Sequence, residues 1–451
     1  MTVSAARSTA LAVVTRVREQ ASFAHETLAA ALGKASLSPQ DASLATRIAY
    51  GTIACRGTLD DAVLRFVAHP AALEPRIADA LALAAYELLY MRTPPWAAVD
   101  EGVDLVRSIR PRAAGLANAV LRRLTESRDS FPWGDPATDD AALARLTGHP
   151  EWLVRQMTTD LGRVRAGEFL AADNEPAPLF LAYLPFVGTW DEAVRSLESD
   201  GAEPIPCDLP GCLRAARPSR AVSGSAVSEG RVVVCDAAAQ FAARAVRPRA
   251  GARIAEIGAG RGTKTLLMQG IALANGAPAD ILAVDSHAFK LEVLAAAIDR
   301  FDVPNVSRHL ADAAEPLDRI AEPASCDTVL VDAPCSGLGT LRRHPDKRWR
   351  IAPNEIESLA TLGIRILEQA SRLVRPGGFV VYSTCTVTRA ENDDVVAAFL
   401  DGPYGEGFTG DDLTNDTPDS WRRFVRGDGT FQSLPEPDGP DGHFVARLRR
   451  A

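Results

Sequence analysis

Arg253-Ile-Ala-Glu256-Ile-Gly258-Ala259-Gly260-Arg261-Gly262-Thr263-Lys264-Thr265 is a short apolar run that breaks into alternating glycines and then resumes at helical spacing. Glycine permits positive φ and a close approach of backbone to a ligand, and the start of a helix leaves N–H donors free. The pattern predicts a strand, a tight turn and a helix. Three more apolar runs follow, Asp280–Asp285, Thr328–Asp332 and Gly378–Ser383, separated by helical patterns. Strands alternating with helices predict a doubly wound parallel sheet. Such sheets bind ligands beyond the carboxyl ends of their strands, and the polar motifs of this chain fall at those ends.

The turn carries an acid, Glu256, ahead of its first glycine. That favours a cationic cofactor over a pyrophosphate, and S-adenosylmethionine carries both a sulfonium and an ammonium group. Asp285 closes the next strand, the usual place for a carboxylate on a ribose. Asp312 ends the following short segment and is placed to accept from an adenine amine. The expected cofactor-binding set is Glu256, Gly258, Ala259, Gly260, Arg261, Gly262, Thr263, Lys264, Asp285, Asp312 and Asp332.

Two cysteines lie fifty residues apart, Cys335 in Asp332-Ala-Pro334-Cys335-Ser-Gly337 and Cys385 in Ser383-Thr384-Cys385-Thr386. Each follows a Val-rich run and sits among small polar residues. Carbon 5 of cytosine is a poor nucleophile. A thiolate that adds at carbon 6 makes carbon 5 reactive, after which a base removes the carbon 5 proton and the thiolate leaves. An acid near ring nitrogen 3 offsets the developing charge. The two thiols supply nucleophile and base, in an order the residues alone leave open, and Asp332 supplies the third group. Cys55 and Cys326 read as core residues. Cys207 and Cys212 lack companions for a metal, so no metal site is expected.

The chain has 451 residues, 47% hydrophobic and 24% charged, with a formal net charge of −9. These values fit a multidomain globular protein with no membrane span. The N-terminus lacks a basic segment followed by an apolar core, which argues against a secretory signal. Seven cysteines without framework spacing point to a reducing, cytoplasmic setting. The first 130 residues hold 15 Lys/Arg against 13 Asp/Glu, so the acidic excess lies beyond them. Ten acids fall in Asp401–Asp441, a Gly/Pro-rich stretch that reads as a surface excursion. Helical spacing dominates up to about residue 126, with breaks at Ser36–Pro39, His69-Pro70 and Thr93–Pro95 and a helix start at Ser38-Pro39. The expected parts are a helical domain at 1–128, a linker at 129–150, a small α+β subdomain at 151–235 and an α/β domain at 236–451. Arg342-Arg343-His-Pro-Asp-Lys347-Arg348-Trp349-Arg350 is the densest basic run. Arg342, Arg343, Lys347 and Arg348 are expected on phosphate and Trp349 on a base, against the alternative of a loop that Trp349 anchors to the core. Arg122, Arg123 and Arg128 form a weaker patch.

Asp332 through Asp346, and Ser383 through Val387 with Glu391-Asn392, resemble the proline–cysteine and threonine–cysteine motifs of the Sun/Fmu-type RNA cytosine-5 methyltransferases, specifically the bacterial RsmB group. Asp441-Gly442-His443-Phe444-Val-Ala-Arg447 is similar to that family's closing strand. Ala84–Tyr90, Pro95–Val103 and Ala117–Arg123 resemble NusB-like helical domains. The resemblance implies an all-α NusB-like bundle, a small α+β RNA-binding subdomain and a Rossmann-like class I methyltransferase domain. It also implies S-adenosylmethionine as cofactor, small-subunit (16S) ribosomal RNA as substrate, Cys385 as nucleophile and Cys335 as base. From the sequence as a whole, no metal and no membrane are expected, and no obligate protein partner is inferred. Two departures stand out. The family's Cys-Ala-Ala-Pro-Gly-Gly-Lys turn is here Gly258 to Lys264, and its usual Arg-Val-Asn is here Leu181-Ala-Tyr183-Leu184. The alternative readings are the same chemistry on transfer RNA, or an RNA-binding or assembly protein of weak catalytic power.

Overall fold

A computed structural model describes residues 3–20 and 22–451, which form two compact units. One comprises the described residues up to Pro176 together with Leu341–Ala352, and the other comprises Ala177–Thr340 with Pro353–Ala451.

The first unit is helical. Its main helices include Ala5–Gln20, Ala24–Lys34, Pro39–Ala54, Arg56–Leu64, Pro75–Tyr90, Pro95–Ile109 and Ala114–Glu126. The breaks fall where proline interrupts the pattern. Ser38 caps its helix, accepting from the Asp41 N–H at 3.1 Å, with Pro39 at the first helical position. Leu11, Val14, Ile48, Leu59, Leu81, Leu88, Val106 and Leu121 meet in one core. The sequence reading assigns residues from 151 to the α+β part, but Glu151–Leu161 and Arg163–Ala172 are helices of this unit. They bury Leu153, Val154, Met157, Phe169 and Leu170, the apolar face that helical spacing produces.

The second unit contains two sheets. Strands β1 (Leu179–Tyr183), β2 (Pro204–Pro206), β3 (Cys212–Ala215) and β4 (Val232–Val234) form an antiparallel sheet in the order β2-β3-β1-β4. The larger sheet is built from β5 (Arg253–Ile257), β6 (Asp280–Asp285), β7 (Val306–Leu310), β8 (Cys326–Asp332), β9 (Val374–Thr384), β10 (Phe408–Asp411), β11 (Phe431–Ser433) and β12 (His443–Arg450). Its order is β10-β12-β9-β8-β5-β6-β7, with β11 also paired to β12. The five strands from β5 to β9 are parallel and β12 is antiparallel to β9.

Alternate residues of the parallel strands feed two separate cores. Ile254, Leu330 and Val381 face helices Ala237–Ala245 and Thr263–Ala274, whereas Ala255, Val329 and Val380 face helices Pro353–Ser371 and Asp393–Asp401. Burial on both faces is why these strands read as continuous apolar runs. Each fully buried Leu or Val contributes about 1.5–3 kcal/mol. After β7 the chain crosses back to lay β8 on the other side of β5, so the strand order reverses between those two strands. A crevice opens at such a reversal, and it is the place where doubly wound folds bind ligands.

The acidic stretch at Asp401–Asp441 is more than a surface excursion. It contributes β10 and β11, and Trp421, Phe424 and Phe431 are buried in it. The Phe431 ring stacks on Phe241 with centroids 4.2 Å apart. A few aromatic anchors among many acids hold the segment to the domain, and the burial of large rings outweighs its polar composition. Among the described residues, no helix is long and apolar enough to cross a membrane.

Candidate active site

Because β5, β6, β7, β8 and β9 are parallel, their carboxyl ends share one edge of the sheet. Glu256, Asp285, Asp312, Asp332 and Cys385 lie at or just past the ends of β5, β6, β7, β8 and β9 respectively.

At the end of β5 the backbone turns sharply. Gly258 has φ of +82°, and a Cβ there would lie 2.3 Å from the Asp332 carbonyl oxygen. Only glycine lets β5 and β8 approach so closely. Helix Thr263–Ala274 starts five residues after Gly258, with Ala259 and Gly262 buried and Arg261 exposed. Lys264 projects from its first turn, and its ammonium donates to Asp332 Oδ2 at 2.8 Å. Burial opposes charge on Lys264, but the Asp332 carboxylate outweighs it and raises the lysine above its ordinary range. Lys264 is therefore a fixed cation, within electrostatic range of Cys235 and Cys385.

Glu256 is 1% exposed. Thr265 Oγ1 donates to its Oε2 at 2.5 Å, and its Oε1 is buried without a hydrogen-bond partner. Burial pushes this carboxyl up to about 8, against partial offsets from Thr265 and Lys264. A buried acceptor left unsatisfied at a strand end suits a donor or a cation. Asp285 accepts from the Gly260 N–H at 2.9 Å and the His287 N–H at 2.9 Å, so one carboxylate ties the glycine turn to the end of β6. Asp312 is exposed and accepts from the Ala314 N–H at 3.0 Å. The acids, the glycine turn and Lys264 fit a cationic, ribose-bearing cofactor.

The two thiols meet. Beyond β8 the ladder continues for one bond, Ala333 N–H to the Ser383 carbonyl at 2.9 Å, and then the chain folds over the end of β9. The Gly339 N–H donates to the Cys385 carbonyl at 3.0 Å, and the Gly442 N–H donates to the Gly339 carbonyl at 2.8 Å. A Cβ on Gly339 would sit 2.0 Å from the Gly442 oxygen, so this three-layer clasp requires glycine. Cys335 Sγ and Cys385 Sγ end 3.5 Å apart, both partly exposed and both reduced. The hydrogen bond with Cys385, and then burial, raise the Cys335 thiol well above its usual range. His443 Nε2 is 3.0 Å from Ser383 Oγ. Burial, and then the nearby Lys264 charge, depress His443 well below its usual value, so its imidazole is neutral.

Several residues essential to this geometry are absent from the sequence-based site. Glu391 is the foremost, since it joins Ser336, Thr386 and Thr388 by hydrogen bonds. The sequence shows Glu391 only as part of the threonine–cysteine motif, and its link to Ser336, 55 residues away, has no local signal.

The basic run behaves differently. Residues 341–352 belong to the helical unit. Arg348 is 1% exposed and donates to Asn174 Oδ1 at 2.8 Å and to the Asp173 carbonyl at 2.7 Å. Trp349 Nε1 donates to the Ala54 carbonyl at 2.8 Å. Arg342 is buried, while Arg343 and Lys347 are half-buried. The expectation that the whole run faces RNA fails for Arg348, whose guanidinium is enclosed. The indole N–H of Trp349 is likewise engaged inside the unit. The cause is the buried acceptors on the helices, which no local pattern discloses. Arg122 and Arg123 are exposed on their helix. Among the described residues, no cluster of His, Cys, Asp or Glu suits a metal ion.

Residues 243–449 match the family model for the 16S rRNA methyltransferase RsmB/F, and residues 4–126 match the NusB family. The ribosomal RNA small subunit methyltransferase B of Salmonella typhi is 31% identical over 416 residues, covering 91% of this chain and 90% of that protein. This chain belongs to the RsmB/F methyltransferase family. Solved structures agree on the fold. PH0851 superposes over 100% of both chains with a TM-score of 0.81 at 23% identity. A methyltransferase homolog protein from Pyrococcus horikoshii covers 68% of this chain and 98% of its own, with a TM-score of 0.58 at 20% identity. This chain thus joins a NusB-type helical domain to a Rossmann-like methyltransferase domain.

Proposed function

We propose that this chain methylates carbon 5 of a cytosine in small-subunit ribosomal RNA, with Cys385 as covalent nucleophile and Cys335 as base. The observation that carries the reading is the pair of sulfurs 3.5 Å apart at the ends of adjacent parallel strands, beside the Lys264–Asp332 ion pair. S-adenosylmethionine, when bound, supplies the electrophilic methyl group. The residues that would hold it are Glu256, whose orphaned Oε1 suits a cation, the turn Gly258–Lys264, Asp285 and Asp312.

The chain's own groups perform the remaining work. The two sulfurs share one site 3.5 Å apart, and the family resemblance assigns the nucleophile's part to Cys385. The fixed Lys264 cation favours its thiolate. Cys385 Sγ bonds to carbon 6, and the electron pair that shifts to carbon 5 goes into the new carbon 5–methyl bond. Asp332 and Lys264 lie at the strand end where charge developing on the ring is offset. Once Cys385 is bonded to carbon, the neighbour that opposed ionisation of Cys335 is gone. Cys335 then ionises and takes the proton from carbon 5, the carbon 5–carbon 6 double bond reforms, and Cys385 leaves as thiolate. The target cytosine must be splayed from any helix to reach the thiols.

The family and the relative from Salmonella typhi support ribosomal over transfer RNA as substrate. Arg343 and Lys347, the half-buried members of the basic run, are assigned phosphate contacts. Bisulfite sequencing of small-subunit ribosomal RNA incubated with the protein and S-adenosylmethionine tests the assignment. One newly protected cytosine is expected, and methyl transfer to another atom or to transfer RNA alone would reject it.

A further inference from the structure

Glu391 is 1% exposed and is surrounded by donors. Its Oε1 accepts the Ser336 N–H at 2.6 Å. Its Oε2 accepts the hydroxyls of Ser336 at 2.6 Å, Thr388 at 2.7 Å and Thr386 at 3.1 Å. A buried carboxyl is costly unless such bonds satisfy it, and here every contact uses it as an acceptor. Its own backbone is held too, since the Tyr382 hydroxyl donates to the Glu391 carbonyl at 2.7 Å.

The partners of this carboxylate have a pattern. Ser336 follows Cys335 and Thr386 follows Cys385, so one side chain grips the residue after each thiol. The grip matters unequally. Thr384, just before Cys385, is still within the β9–β12 ladder opposite Phe444. Cys335 has already left β8, and the N–H that Glu391 holds belongs to the Cys335–Ser336 peptide itself. Loss of Glu391 therefore frees Cys335 while the strand still fixes Cys385.

We propose that Glu391 is a positioning residue that aims Cys335 at carbon 5 of a cytosine already bonded to Cys385, and so controls release of product more than formation of the adduct. This rests on the two-thiol assignment above, and its test separates the two claims. In single-turnover reactions with small-subunit ribosomal RNA made by in vitro transcription, the appearance and decay of the denaturant-resistant protein–RNA adduct are followed separately. Glu391→Ala is expected to slow decay about ten- to a hundredfold, as a misplaced reacting group does, while appearance slows less than about threefold. Glu391→Gln keeps the volume and one acceptor oxygen, and its amide can donate to hydroxyls that turn to accept. It is expected to recover most of the decay rate yet to remain about threefold slow. A variant that merely loosened the fold would slow both phases together.

Equal slowing of both phases, or of neither, in folded Glu391→Ala overturns the proposal. If that variant does not fold, the same comparison in Glu391→Gln decides it. Cys335→Ala serves as the reference for the underlying chemistry. Absence of any adduct with Cys335→Ala rejects the two-thiol assignment and the proposal with it. An adduct with Cys335→Ala, joined to an unchanged ratio of phases in the Glu391 variants, rejects the positioning role alone.

Discussion

The loop around Cys385 and the basic run at Arg342–Arg350 are both dense in polar side chains, and the fold uses them in opposite ways. Around Cys385, buried hydroxyls and one carboxylate hold two sulfurs that stay partly exposed. In the basic run, the charge itself is enclosed, and Arg348 spends its guanidinium on Asn174 and the Asp173 carbonyl. Polar density alone does not distinguish a reactive surface from an anchor. The difference lies in what the neighbours bury: in the first case the supporting groups, in the second the conspicuous ones.

That contrast is sharpest at its extremes. Replacing Cys385 by alanine should abolish methyl transfer to ribosomal RNA while leaving the thermal midpoint nearly unchanged, because a partly exposed thiol adds little packing. Retained methylation in that variant would place the chemistry elsewhere. Arg348→Ala should instead cost about 3 kcal/mol in chemical denaturation, since it deletes hydrogen bonds from a buried charge and leaves a cavity. If stability is kept and RNA affinity falls, Arg348 is a contact with RNA and the contrast disappears.

A finer test concerns Glu256, whose carboxyl is raised to about 8 by burial. Such a group keeps its proton in the free protein at neutral pH. A cationic ligand favours its ionised form, so binding releases that proton. Affinity for S-adenosylmethionine should therefore rise with pH between about 6 and 7.5, by at most about tenfold per pH unit, below the range where the ligand's amine deprotonates. Calorimetry in buffers of different ionisation enthalpy should detect the released proton, and Glu256→Gln should flatten the dependence. A flat profile in the unaltered protein would remove Glu256 from the cation site. The smallest effect is expected at Lys347. Its replacement by alanine should weaken RNA binding a few-fold and lower the slope of log affinity against log salt by about one, with stability unchanged. No change in slope would remove Lys347 from the phosphate contacts.

The sheet was legible because its strands are buried on both faces and leave unbroken apolar runs from Arg253, Asp280, Thr328 and Gly378. The glycine turn and both cysteines were legible because they stand where those runs stop. Glu391, Gly339 and Gly442 stand inside the quoted motifs, but their roles were not legible, since Ser336 is 55 residues from Glu391 and the two glycines are 103 apart, and only the β8–β9 and β9–β12 pairings bring them together. For the same reason local pattern points the basic run outward: Asn174 and Ala54 are 174 and 295 residues from the arginine and tryptophan they hold. The acidic C-terminal stretch reads as surface because its aromatic anchors are few, although Trp421 and Phe431 each bury a large ring.

The convergence of two sulfurs on one pyrimidine is tested most directly by allowing Cys335→Ala to react with small-subunit ribosomal RNA and S-adenosylmethionine, digesting the product, and locating the linked nucleotide by mass spectrometry. A methylated cytidine joined to Cys385 is predicted. A nucleotide on any other residue, or free turnover of Cys335→Ala, would contradict it.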